Sequence, residues 1–148
     1  MRWSGMTREI LFKGKRKDTG EWTEGYFFKI WDRTFLLWGM TNDHPNMIEV
    51  IPETVGQFTG LTDKNGNKIF EGNIISATAL DTGGGEQRAV VCFGNFIDEN
   101  NGDEYIGFFI EFDGIKTTIT QLAMEECKNR IEVIGNIHDN PELLEVEK

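Results

Sequence analysis

Val55-Gly-Gln-Phe-Thr-Gly-Leu-Thr-Asp-Lys-Asn-Gly-Asn-Lys-Ile-Phe-Glu-Gly-Asn-Ile-Ile-Ser76 is the stretch whose reading decides the fold. At its centre stands Asp63-Lys64-Asn65-Gly66. An Asn-Gly pair between β-patterned flanks adopts the positive φ of a tight hairpin at little steric cost. Gly56, Gly60 and Gly72 mark further points where the backbone can bend or pass close to another strand. Beyond Gly72, Asn73-Ile74-Ile75 opens an apolar, β-branched run that reads as the first strand of a barrel or sandwich.

Working outward toward the N-terminus, Glu9 to Arg16 and Trp22 to Trp31 read as strands, with a turn at Asp18-Thr19-Gly20. Asp32-Arg33 reverses the chain into a third strand, Thr34 to Trp38. Gly39 to Pro45 reads as a loop, Met47 to Ile51 as a short strand, and Pro52-Glu53 as a sub-domain boundary. Toward the C-terminus, Asp81 to Glu86 reads as a flexible loop, and Arg88 to Phe93, Tyr105 to Phe112 and Ile115 to Ile119 as strands. In Tyr105 to Phe112, Ile106, Phe108, Ile110 and Phe112 alternate with the opposite face, the pattern of a half-buried strand. Thr120 caps an expected short helix to about Lys128, with Ala123, Met124 and Cys127 on one face. Ile131 to Ile137 is the last strand, and Asn140-Pro141 reads as an N-cap followed by a proline that opens one helical turn.

Three blocks in this order resemble the YopX family of bacteriophage and prophage proteins. Gly56-Gln57-Phe58-Thr59-Gly60-Leu61, Asp63 to Gly66 and Phe70-Glu71-Gly72-Asn73-Ile74-Ile75 are similar to its core motif. Arg8 to Arg16 with Gly20-Glu21-Trp22 and Gly25-Tyr26 resembles its opening, and Glu132 to Leu144 its close. The resemblance implies a phage origin, a mostly β fold with a small SH3-like barrel in the C-terminal part, and no catalytic residues. Asn73 departs from the aspartate usual there, so an obligatory carboxylate at that position is not expected. The expected organisation is a loose N-terminal extension over 1–7, a β sub-domain over 8–52 and a small, partly open β-barrel with a short terminal helix over 53–148. The fold class is mainly β, α+β at most, the N-terminal hairpin sub-domain packed on the barrel.

A chain of 148 residues can bury a substantial core in one domain or two small ones. No apolar run reaches the roughly 18 to 20 residues that span a bilayer, and no secretory signal stands at Met1–Thr7, so a cytoplasmic protein is expected, and the family resemblance implies that it is phage- or prophage-encoded. Cys92 and Cys127 stand far apart and read as reduced, packed thiols. The net charge of −10 opposes general binding to phosphate backbones. Six of the fifteen basic residues lie in the first seventeen positions, among them Lys13, Lys15, Arg16 and Lys17, with Glu9 the one acid there. This basic segment reads as solvated or paired with acidic neighbours.

No pattern carries chemistry. Gly83-Gly84-Gly85 runs into a strand, whereas a phosphate loop needs a helix N-terminus and a lysine or hydroxyl. Asp98 to Glu104 and Asp63 to Asn67 both fail the calcium-loop spacing, which requires glycine at position six and glutamate at twelve, and read as solvated hairpin turns. His44 and His138 stand in no metal-ligand spacing. Cys92 sits mid-strand, where burial makes a thiol inert, and the pairing of Glu71 with Asp63 carries little weight in so acidic a chain. No catalytic, cofactor or metal residue is assigned, and an enzyme is not expected. What remains is the N-terminal hairpin, where Tyr26, Phe28 and Ile30 alternate with Phe27 and Trp31 so that both faces are apolar. Trp22, Phe27, Trp31 and Trp38 are therefore the candidate protein-binding residues, for a foreign protein or a second copy. The leading reading is a non-catalytic protein-binding accessory module. The alternatives are an acidic decoy of nucleic-acid-binding proteins and a carboxylate- and metal-dependent hydrolase or nuclease.

Overall fold

Strand alternation between tight turns dominates the chain, and the computed structural model describes it over residues 9–78, 85–120 and 130–145. The strands are β1 (Phe12–Lys15), β2 (Trp22–Ile30), β3 (Arg33–Thr41), β4 (His44–Glu49), β5 (Gly56–Thr62), β6 (Lys68–Phe70), β7 (Asn73–Thr78), β8 (Glu86–Ile97), β9 (Glu104–Phe112), β10 (Ile115–Thr118) and β11 (Ile131–Asn136). Short 3-10 turns stand at Pro52–Thr54 and Pro141–Leu144. The expected helix over 120–128 falls almost wholly on 121–129, and much of the loop from Asp81 and the extension over 1–7 also lie outside the described residues. The chain divides into two units, Met1–Gly60 and Leu61–Lys148, with β5 running from one into the other. The strand orders are β4-β3-β2-β1-β5-β6 and β10-β9-β8-β7-β11, and every pairing recorded between strands is antiparallel. This is the mainly β architecture expected, and the five-stranded sheet is open, not a closed barrel, among the described residues.

In the first unit the register sets Phe27 opposite Leu36 and Leu36 opposite Ile48, which puts Leu36 on the buried face. Leu36 and Val50 are fully buried, and a Cβ on Gly14 would come within 3.3–3.5 Å of Val55, Val50 and Leu36. Gly25 permits a closer approach still, since a Cβ there would lie 2.5 Å from the Leu37 carbonyl oxygen. Beyond β4 the chain returns to the end of β1. The Lys17 amide donates to the Glu49 carbonyl (3.0 Å), and the Ile51 amide to that of Lys15 (2.8 Å). Thr54 ties the following turn down by accepting from the Lys15 amide at 2.9 Å.

The loop expected over Gly39 to Pro45 is instead a hairpin. β3 continues to Thr41, and Asn42 and Asp43 form a two-residue turn with φ of 52° and 64°. Both side chains tolerate the left-handed region through local hydrogen bonding, so the turn forms without glycine at its centre. A register shift between Trp38 and Met40 absorbs Gly39, and Pro45 fits because β4 is the outermost strand. The β2–β3 reversal also falls one residue early, on Trp31 (φ 56°).

The second unit packs Ile69, Ile75, Ala89, Val91, Ile110 and Ile131 into one core. Its longest element is the β8–β9 hairpin, in which β8 spans Glu86 to Ile97 and not merely Arg88 to Phe93. Gly94 and Gly107 face each other across this hairpin, both at positive φ. On the core side of the pair Val91 and Ile110 are buried, while on the other Ile106 is 79% exposed. The alternation of Tyr105 to Phe112 therefore buries Ile110 on one face and Phe109 on the other, and leaves Ile106 in solvent. At the C-terminus Pro141 opens the last turn as expected, but the Asn140 side chain does not cap it. Its Oδ1 accepts from the Asn136 amide at 3.3 Å instead.

Candidate functional site

Both turns keep exposed tips, as expected, but the aspartate that leads each of them is buried. Asp63 is 2% and Asp98 3% exposed, and each carboxylate holds down a distant strand. Asp63 Oδ1 accepts from the amides of Asn65 (2.9 Å) and Asn67 (2.8 Å), and Oδ2 from that of Val133 in β11 (3.0 Å). The next residue completes the clasp, since the Lys64 amide donates to the Ile131 carbonyl at 3.0 Å. Asp98 repeats the arrangement at the opposite edge of the sheet. Its Oδ1 accepts from the Asn100 amide (2.7 Å) and its Oδ2 from the Thr118 amide in β10 (2.9 Å), while the Glu99 amide donates to the Lys116 carbonyl (3.0 Å). Each edge strand thus has an amide and a carbonyl satisfied by an aspartate-led turn, groups that would otherwise invite another strand. Burial pulls the Asp63 carboxyl upward, but the amides of Val133, Asn67 and Asn65 together outweigh it and hold the group below the usual aspartate range.

The other motif residues are structural as well. Gly60, Gly66 and Gly72 have positive φ, whereas Gly56 does not and pairs with Lys13 in the sheet. Gly66 occupies the turn position foreseen, with its amide donating to the Asp63 carbonyl at 3.0 Å. Asn65 Nδ2 reaches Glu132 at 3.4 Å. Asn73 Oδ1 accepts from the Phe70 amide at 2.7 Å, a bond that needs an oxygen and no charge.

No constellation for chemistry assembles from the candidates. Cys92 is half-buried and its thiol is pushed up to about 11, first by burial and then by the Glu111 and Glu71 carboxylates. A cleft of about 610 Å³ in the second unit is lined by Glu86, Phe112, Glu142 and Glu145, but Arg88 within it is engaged by Glu86 (2.9 Å) and the Leu143 carbonyl (3.0 Å). Among the described residues no three histidine, cysteine or carboxylate side chains converge on a metal position, and no helix is long and apolar enough to cross a membrane.

The candidate binding residues stand in the first unit without sharing one face. Trp22 lies on the face of Lys13 and Lys15, whose ammonium groups sit 5.2 and 5.6 Å from its ring centroid. Phe27 is on the opposite face, 39% exposed and 5.5 Å from the Phe12 ring. Trp38 is 47% exposed in β3, and Trp31, at the β2–β3 turn, is 92% exposed. Tyr26 and Ile30, which alternation placed on one apolar face, are also exposed, and so is Met47, which the sequence reading did not single out; the register sets all three on the face of Trp22. On that face Arg33 lies over Phe35, which stacks on Phe28, and Arg33 with Lys17 holds the Glu49 carboxyl down at about 2. The alternation of β2 contained this signal, but exposure depends on what the rest of the fold covers.

These features define a class: a two-unit, antiparallel β protein with clasped sheet edges and an aromatic surface. The profile of the YopX protein family matches residues 12–145, so the chain belongs to the YopX family. Among solved structures, a protein from Enterococcus faecalis, EF1440, is similar at 25% identity with a TM-score of 0.50, over 93% of this chain and 99% of the other. No curated protein matches the chain.

Proposed function

We propose that the protein is a non-catalytic, phage- or prophage-encoded accessory module that works by binding protein in the host cytoplasm. The observation that carries this reading is the exposed aromatic and apolar surface of the first unit, with Trp31 at 92% and Tyr26 at 58% exposure. Large aromatics in solvent are costly unless a partner covers them, and they are the residue types that anchor interfaces. The raised thiol of Cys92 supports a non-catalytic role. Photo-crosslinking residues placed at Trp31 and Trp38 in lysogenic or infected cells test the reading. A discrete adduct from these positions, absent when the probe is at exposed Lys64, is expected, and no adduct or the same pattern from all three positions overturns it.

A second reading, the acidic decoy, is favoured by the placement of charge. Residues after Gly60 include seven basic and seventeen acidic ones. It predicts salt-sensitive binding of basic DNA-binding proteins in competition with duplex DNA, and equal binding by a variant lacking Trp31 and Trp38.

A further inference from the structure

Beyond the Gly94–Gly107 pair, the β8–β9 hairpin forms an arm whose one face is apolar and open. The register puts Phe93 opposite Phe108, Asn95 opposite Ile106 and Ile97 opposite Glu104. Phe93, Ile97 and Ile106 are 52%, 61% and 79% exposed. They continue the face that carries buried Val91 and Ile110, so the core face of the sheet runs on past its cover.

The arm is braced from behind. On its other face the Phe96 ring stacks on Tyr105 (5.6 Å) and on Phe109 (4.7 Å), and Asp98 clasps its end. A rigid apolar patch loses little conformational freedom on association. The two aspartate clasps occupy the outer edges of β11 and β10, and the exposed apolar side chains of the arm lie on its face.

We propose that this arm is an association surface whose occupant is the aromatic, basic face of the first unit in a second copy of the chain. The inference rests on the reading that the first unit's exposed aromatics bind protein, and it names one partner for them. Charge selects that partner. The arm ends in Glu99, Asp103 and Glu104, so arm against arm would bring six carboxylates together. The first unit's face sets Tyr26, Ile30 and Met47 beside Lys13, Lys15 and Arg33, with Glu24 and Glu49 the acids there. The arm thus meets an apolar centre and an excess of cations, and like charge is avoided. Each copy carries one surface of each kind, so the contact is head-to-tail and builds rings or chains.

Sedimentation of the full chain tests this by complementation. The wild type is expected to gain mass with concentration. Ile106→Asp, with an arm that cannot dock, and Tyr26→Asp, with a face that cannot receive it, are each expected to be monomeric. Mixed together they are expected to form a 1:1 dimer, because one intact arm meets one intact face. Glu104→Lys, a charge reversal at the rim, is expected to weaken association at least tenfold. Both aspartate substitutions fall on exposed side chains, and an unchanged far-ultraviolet spectrum checks their folding. A strictly monomeric wild type, a Tyr26→Asp variant that associates like the wild type, or a mixture that stays monomeric each overturns the proposal. A monomeric wild type that still yields a host adduct from Trp31 or Trp38 would sink this inference alone and leave the protein-binding reading standing.

Discussion

The two units carry their surplus surface in opposite ways. Through Gly60 the chain has eight basic and eight acidic residues, and after it seven and seventeen, so the whole net charge of −10 belongs to the second unit. The first unit is formally neutral and exposes aromatics from two faces of one sheet and from a turn. The second ends its apolar arm in the carboxylates of Glu99, Asp103 and Glu104 and uses two others, Asp63 and Asp98, to close its edges. The contrast separates two uses of one side-chain type. A carboxylate in solvent repels like surfaces, whereas a buried one surrounded by amide donors fixes where a strand ends.

The largest expected effect tests the clasps. Asp63→Ala leaves the amides of Asn65, Asn67 and Val133 without their acceptor and is expected to cost on the order of 3 kcal/mol in urea unfolding. Asp98→Ala strands two amides and should cost about 2 kcal/mol. A larger loss at Asp98 than at Asp63 would break the ranking by donor count.

Acid sharpens the same contrast. The native Asp63 carboxyl lies below its unfolded value, so its contribution is complete above the ordinary aspartate range and disappears as pH falls through the native value. Glu49 acts in the same direction, with a window from its ordinary 4.5 down to about 2, but its exposure keeps the contribution small. Melting temperature should therefore fall on acidification below about pH 4, where aspartate begins to protonate. The fall should be shallower in Asp63→Asn. Parallel wild-type and variant curves from pH 2 to pH 7 would remove Asp63 as the cause.

Gly66→Val is expected to cost on the order of 1 kcal/mol, because a β-branched residue is strained at φ +82°. An unchanged melting temperature would contradict it. The smallest effect belongs to the first unit. Trp31→Ala should leave stability within about 0.5 kcal/mol, since 92% of that side chain is already in water. A large loss would mean that the exposed aromatics serve the fold and not a partner.

Legibility followed the range of the interaction. The Asp63–Gly66 turn was readable because its donors and acceptors lie within a few residues, as the Gly66 amide on the Asp63 carbonyl shows. The Asn42–Asp43 hairpin was missed because a glycine and a proline on either side of it looked like a loop. Alternation along β2 put the candidate Phe27 and its neighbour Tyr26 on opposite faces, but it could not tell which faces are covered.

By itself the sequence determined the strand-and-turn order, the mainly β class, the family blocks and the charge imbalance, all of which depend on local pattern or on counting. Tertiary structure alone decided that Asp63 and Asp98 are clasps, because their decisive partners, Val133 and Thr118, lie 70 and 20 residues away. It also decided that Ile106 stands in solvent while Ile110, four residues on along the same face, is buried. Alternation sets the face on which a side chain emerges. Whether water or protein meets it there depends on elements that the chain brings back from elsewhere.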